Sequence, residues 1–124
     1  MAETEEIGKI KISDDVVAVI AKSAALSVEG VVMLSGGFVE GFTELVGRKN
    51  PSRGIKVDIV EREAAMNEAS IDIFLIVEFG YRIPEIATKI QFQVKRDVQA
   101  MTGLSVAAVN IHVQGISFSQ KRDE

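Results

Sequence analysis

The feature that most constrains the fold is a long amphipathic helix followed directly by a strand, within residues 81–118. Pro84 suits a first helical position, where its missing N–H leaves no hydrogen bond unmade, and Gly103 suits the left-handed residue that follows a helix. Apolar residues between them recur at steps of three and four and predict one buried stripe: Ile83, Ile86, Ala87, Ile90, Val94, Val98 and Met101. Burying the larger members contributes on the order of 10 kcal/mol, so this helix must pack on a core.

The first half of the chain predicts shorter elements. Residues 8–12 alternate between apolar and basic and indicate a short first strand. Ser13 suits the N-cap of a helix running to about Val28, with Gly30 as its stop. We expect the core stripe of this helix to consist of Val17, Ile20, Ala24 and Val28, with Val16 beside it. Residues 31–34 favour a strand, and residues 38–46 have the spacing of a short helix.

Three later segments alternate with the period of strands. Residues 55–59 have one buried face; residues 69–79 put Ile71, Ile73, Leu75, Val77 and Phe79 on one face. Residues 106–118 form the last strand. Its apolar residues stand at odd-numbered positions from Val109 to Val113 and at even-numbered positions from Ile116, a change of parity that a bulge at Gly115 would explain. The order β-α-(β)-(α)-β-β-α-β predicts an α+β fold. We expect a single small layer domain over residues 1–124, with a core at about 8–118 and a mostly antiparallel sheet carrying two long helices on one face.

Composition limits the compartment and the kinds of partner. The net charge of −4 disfavours nonspecific binding to nucleic acid, and the absence of cysteine excludes disulfides and fits a reducing cytosol. The start, MAETEEIGK, is acidic where a secretory signal would be basic and then apolar. Apolar runs fall well short of the roughly 20 residues that span a bilayer. We therefore expect a cytoplasmic protein that reaches a membrane, if at all, through a partner.

The sequence contains no recognisable catalytic, cofactor or metal motif. His112 is the only histidine, and a structural or surface role is favoured over a catalytic pair with Asp72 or Glu78. Glycines at positions 36, 37 and 41 match neither phosphate-binding fingerprint. The prediction is a protein that is not an enzyme and uses no cofactor.

Candidate interaction residues are apolar side chains in unexpected places. Phe92 projects almost opposite the buried stripe, either as a scattered surface residue or as a partner contact. Phe74 and Ile76 lie on a strand face that should meet water. They either lie beneath the glycine-rich segment or belong to a self-association surface. Phe38 and Phe42 are secondary candidates.

A basic loop supports a competing hypothesis. Arg48, Lys49 and Arg53 surround Pro51 in a segment whose simplest interpretation is a solvated connection. The alternative is an RNA- or nucleotide-binding regulatory module that uses this loop, although no GxxG clamp or stacking aromatic pair accompanies it.

Three stretches carry a family resemblance: GKIKISDDVVAVIAKSAALSVEGV, IDIFLIVEFGYRIPEIATKIQFQVKRDVQAMTGLSV and VNIHVQGISF. They resemble the alkaline-shock and general-stress envelope protein family of Gram-positive bacteria. The most specific parts are Glu78-Phe79-Gly80 leading into Ile83-Pro84-Glu85, then Met101-Thr102-Gly103-Leu104, then Val109-Asn110-Ile111-His112-Val113.

The resemblance implies a non-enzymatic cytoplasmic protein associated with envelope stress or homeostasis. Some relatives self-associate and are held at the membrane by a separate anchor protein, and others are linked with fatty-acid metabolism. The family supplies no catalytic residues. A homo-oligomeric scaffold that docks on a membrane-anchored or lipid-metabolism partner is therefore the leading expectation, with nucleic acid an unfavoured partner.

Overall fold

Two helices and four strands make up the part of the chain that the structure, a computed structural model, describes: residues 7–36, 54–61 and 67–118. In chain order they are α1 (Asp14–Leu26), β1 (Val31–Leu34), β2 (Ile55–Val60), β3 (Glu68–Glu78), α2 (Ile83–Thr102) and β4 (Ser105–Ser117).

The sheet is organised around β3, which pairs with all three other strands. β4 runs parallel to β3 along one side, from Ser105 opposite Glu68 to Ser117 opposite Glu78. β2 and β1 pair antiparallel with β3 and share its other side, β2 against residues 68–73 and β1 against residues 75–77. The parallel pair is joined by α2, since parallel neighbours need a crossover connection. Two of the three pairings are antiparallel, as the sequence predicted.

The core lies on one face of this sheet, beneath both helices. Alternate residues of β3 are almost fully buried there: Ala69, Ile71, Ile73, Leu75 and Val77. They pack in one cluster with the predicted stripes of α1 and α2, and the two helices also contact each other. The α+β class with two helices on one face is therefore confirmed. Neither helix is long and apolar enough to cross a bilayer, within the residues described.

Helix ends follow the local signals in the sequence. The Ser13 hydroxyl accepts a hydrogen bond from the Val16 N–H at 3.4 Å, as expected of an N-cap. α1 ends at Leu26 rather than at the predicted Val28, although Val28 is still buried. Gly103 ends α2 with φ of 79°, the left-handed conformation predicted for it.

Several parts of the sequence-based prediction are wrong. Residues 8–12 form no strand: no described strand pairs with them, Ile10 is exposed, and Ile12 alone of the five packs against the core. Met101 is 70% exposed because the buried stripe of α2 ends at Val98 and Leu104 fills the next core position. Val16 is also exposed. The predicted helix at residues 38–46 lies outside the described residues.

Candidate interaction surfaces

The outer face of the sheet, opposite the helices, carries an aromatic and polar cluster. Asp72 and Phe74 are alternate residues of β3 and so point to the same face, and His112 of β4 lies opposite Phe74 in the parallel register. The Phe74 and His112 rings stack with centroids 4.4 Å apart and planes 11° apart. Nε2 of His112 lies 3.0 Å from Oδ1 of Asp72. One stacking contact and one polar contact thus hold the imidazole on this face.

Asp72 and Glu78 are the two carboxylates considered as partners of His112, and the structure brings one of them to the imidazole. Asp72 contacts the imidazole, whereas Glu78 pairs with Ser117 at the end of the strand. The described residues contain no group of three or more potential metal ligands. A histidine and a carboxylate in contact on an exposed sheet face can orient each other.

The apolar part of the outer face extends from Phe74 to Ile76 and Met33. Phe74 and Ile76 are half-buried, and Met33 of β1 lies opposite Ile76. Ser35 follows β1 on one side of β3, and Gln114 belongs to β4 on the other side. Ser35 Oγ donates a hydrogen bond of 2.6 Å to Gln114 Oε1, and this hydrogen bond crosses β3. Phe74 and Ile76 therefore form a strip with polar side chains on both flanks.

The connection between β1 and β2 leaves and rejoins the sheet beside Phe74. The Ser35 N–H donates to the Phe74 carbonyl at 2.7 Å, and the Phe74 N–H donates to the Gly54 carbonyl at 2.9 Å. The intervening candidates Phe38, Phe42, Arg48, Lys49 and Arg53 lie outside the described residues. Both explanations of Phe74 and Ile76, cover by the glycine-rich segment and self-association, remain predictions.

Phe92 lies on the solvent side of α2. Its side chain is 71% exposed, whereas Ile90 and Val94 on the opposite side of the same helix are fully buried. Arg96, one turn later, is also exposed. The predicted direction of Phe92 is correct, and its role as a partner contact remains a prediction.

A second aromatic pair, which the sequence did not reveal, closes one end of the sheet. Phe79 was expected on the buried face of β3, but it follows the last strand residue and is 61% exposed. Its ring stacks on Phe118 with centroids 4.7 Å apart. Each ring therefore shields one face of the other from water, although both side chains remain more than half exposed. The parity switch at Gly115, which turns Phe118 to the same face, was the available signal.

Tyr81 links the turn before α2 to the end of α1. Its hydroxyl donates a hydrogen bond of 3.1 Å to Glu29 Oε2. That hydrogen bond is the main reason that the pKa of Tyr81 is raised, with smaller contributions from desolvation and from the charges of Glu29 and Glu78. A carboxylate acceptor stabilises the protonated phenol because the phenolate cannot donate to it.

Comparisons with known proteins point to one family. The model of the alkaline shock protein 23 family, described by its cell envelope-related function, matches residues 2–118. YqhY of Bacillus subtilis, an uncharacterized protein, is 36% identical over 98% of this chain and 87% of that protein. YloU of the same organism, also uncharacterized, is 37% identical over 88% of each chain. A stress response regulator gls24 homolog of Streptococcus pyogenes is 26% identical over 92% of this chain and 62% of that protein. No solved structure matches.

Proposed function

Because the chain belongs to the alkaline shock protein 23 family, whose function is cell envelope-related, we propose that it is a non-enzymatic interaction protein of the envelope stress response or of envelope homeostasis. It acts in the cytoplasm as a scaffold that self-associates. It docks on a membrane-anchored protein or on a protein of lipid metabolism.

The observation that carries this proposal is the number of large apolar side chains that the folded domain leaves in water. Phe92 on α2 and the Phe79–Phe118 pair at the end of the sheet are each more than half exposed. The outer face adds the strip of Phe74 and Ile76, flanked by polar groups. Exposed apolar patches with polar rims are typical of protein–protein contact sites.

The proposal is tested by crosslinking in intact cells that produce the protein, followed by membrane fractionation and identification of whatever is joined to the chain. A homo-multimer joined to one membrane protein supports the scaffold, and a homo-multimer joined to lipid-synthesis enzymes supports the metabolic form. Recovery of RNA or ribosomal components alone contradicts it and favours the basic loop of Arg48, Lys49 and Arg53. In that case, binding should weaken with salt and disappear when the three residues become alanine.

Phe92→Ser gives a matched test of one contact. Phe92 has no core contact to lose, so thermal stability should change little while crosslinking to the partner weakens. Lys89→Ser on the same helix is the control, since it changes another exposed residue without removing an aromatic ring. Equal crosslinking of both variants would exclude Phe92 from the contact.

A further inference from the structure

The long edge of β4 is open in the described part of the chain. β4 has 13 residues and pairs with β3 along one side. Among the described residues, no strand lies on its other side. An unpaired edge presents a row of backbone donors and acceptors that can pair with another strand. This edge is therefore a surface on which a further strand can add.

The two edges of the sheet differ in how they are protected. On the far edge, β1 has only four residues and β2 carries Lys56 and Asp58. Short strands and charged side chains are the usual means by which proteins prevent edge pairing. From Leu104 to Phe118, by contrast, the chain contains no Asp, Glu, Lys, Arg or Pro. β4 thus has neither the short length nor the charged side chains that protect the opposite edge.

Helix α2 covers only the first half of this edge. The Gln99 side chain accepts a hydrogen bond from the Val106 N–H, and the Gln91 side chain donates one to the Val109 carbonyl. Exposure rises along the strand, from 5% at Val106 to 45% at Ile116. Among the described residues, positions 110–116 of β4 therefore combine an edge that has no neighbouring strand with a partly uncovered apolar face.

The inward-facing residues of β4 are arranged symmetrically. Because of two register shifts, the residues opposite the buried side chains of β3 are Val106, Val109, Ile111, Val113 and Ile116. Their positions mirror one another about Ile111: two residues away on either side are valines, and five residues away are Val106 and Ile116. A strand with this pattern matches itself when it is turned end to end.

We propose that the open edge of β4 binds β4 of a second copy of this chain, antiparallel and centred on Ile111. This inference rests on the self-association in the proposed function and names its surface. The contact is the same patch on both copies, as a two-fold axis requires. Ile111 lies opposite its own counterpart, Val109 opposite Val113, and Val106 opposite Ile116. The two sheets become one continuous sheet with all four helices on one face.

Backbone geometry agrees with that register. The Val109 carbonyl accepts from Gln91 of the overlying helix, which indicates that it points to the edge. In a strand the N–H and C=O of one residue point to the same side, and alternate residues repeat that direction. Ile111 and Val113 therefore also present their backbone groups outward. Antiparallel pairing about Ile111 makes each of these three residues part of a hydrogen-bonded pair. In that pairing a backbone N–H of the second copy replaces the Gln91 side chain at the Val109 carbonyl, and a backbone carbonyl of the second copy replaces the Gln99 side chain at the Val106 N–H.

Charge does not oppose the contact locally. Each copy carries a net charge of −4, but the paired strands themselves contain no acidic or basic side chain, and charges elsewhere are screened over about 10 Å at 0.1 M salt.

Beside the strand, a groove of about 310 Å³ lined by Gln91, Lys95 and residues 106–110 runs along the edge. The second half of the partner strand lies alongside this groove.

Single cysteines test the register, because the natural chain contains none. Ile111→Cys should form a disulfide-linked dimer on mild oxidation, since opposite residues in a hydrogen-bonded antiparallel pair have Cα atoms about 5.5 Å apart. Asn110→Cys and His112→Cys are the matched controls on the exposed face. Each should crosslink poorly with itself, because its counterpart lies about 7–8 Å away along the diagonal. An equimolar mixture of the two should crosslink, since position 110 lies opposite position 112.

Sedimentation of the unmodified protein at the same concentration shows whether the chain self-associates, independently of whether β4 forms the contact. A dimer with the expected cysteine pattern supports the inference. A dimer in which Ile111→Cys does not crosslink, or in which the controls crosslink equally well alone, overturns the β4 contact while leaving self-association intact. A monomer overturns both. Crosslinking of Ile111→Cys to a different protein in cells, without the dimer, overturns the choice of a second copy.

Discussion

His112 stacks on Phe74 across the parallel pair β3–β4, with ring centroids 4.4 Å apart, although 38 positions separate the two residues in the chain. The contact exists because β4 returns beside β3 after the α2 crossover. It turns what would be two isolated surface residues into one cluster, which Asp72 extends through its contact with Nε2 of His112.

The stack should contribute measurable coupling. In a double-mutant cycle of Phe74→Ala and His112→Ala, we expect an interaction energy of about 0.5–1.5 kcal/mol by denaturant unfolding. Either substitution alone already removes the ring contact, so the double variant should lose less stability than the two single losses added together. Phe74→Ala with Phe92→Ala is the control, since the two residues lie on opposite layers and should be additive. Additivity of Phe74 with His112 would mean that the stack contributes nothing in solution.

Ile90 and Phe92 should differ sharply in their effect on stability. Ile90→Ala removes a fully buried side chain and should cost about 2–5 kcal/mol, through lost burial and the cavity left behind. Phe92→Ala should change the free energy of unfolding by less than about 0.5 kcal/mol. Urea unfolding of both variants checks this, and a large loss for Phe92→Ala would place that ring in a core.

Gly103→Ala should destabilise the end of α2. The residue has φ of 79°, and a side chain in the left-handed conformation costs about 1–2 kcal/mol. Gly115→Ala is the matched control, because a methyl group there meets Ile76 at an ordinary 3.5 Å without a left-handed backbone. Thermal unfolding should therefore separate the two variants, and equal losses would contradict the role of the backbone conformation.

Tyr81 should ionise at a higher pH than a free tyrosine. It is the only tyrosine in a chain without tryptophan, so ultraviolet absorbance during an alkaline titration reports it directly. Because the folded-state pKa is raised, its contribution to stability is present below the ordinary value of about 10 and is lost as pH rises through the raised value. Glu29→Gln should lower the pKa toward that ordinary value, and Glu85→Gln should leave it in place.

Local chemistry is enough to predict most elements of this chain. The stripe of α2, its proline and glycine boundaries, the Ser13 cap and the alternation of β3 each depend on spacing within one segment, where helical and strand periods differ. The same signals failed for Met101 and Phe79. Both have the correct period, but the core ends before it reaches them.

The sequence by itself determined both described helices, the four strands that the structure describes, most of their inward positions and the α+β class, because those depend on the period of apolar residues within each segment. Only the tertiary structure decided which faces meet and where the packing stops. The parallel return of β4 brings His112 to Phe74 and Asp72, and within the described residues the inward-facing side chains of β4 become more exposed from Val106 to Ile116. Such outcomes depend on long-range strand register and on the relative extents of sheet and helix, which no local pattern encodes.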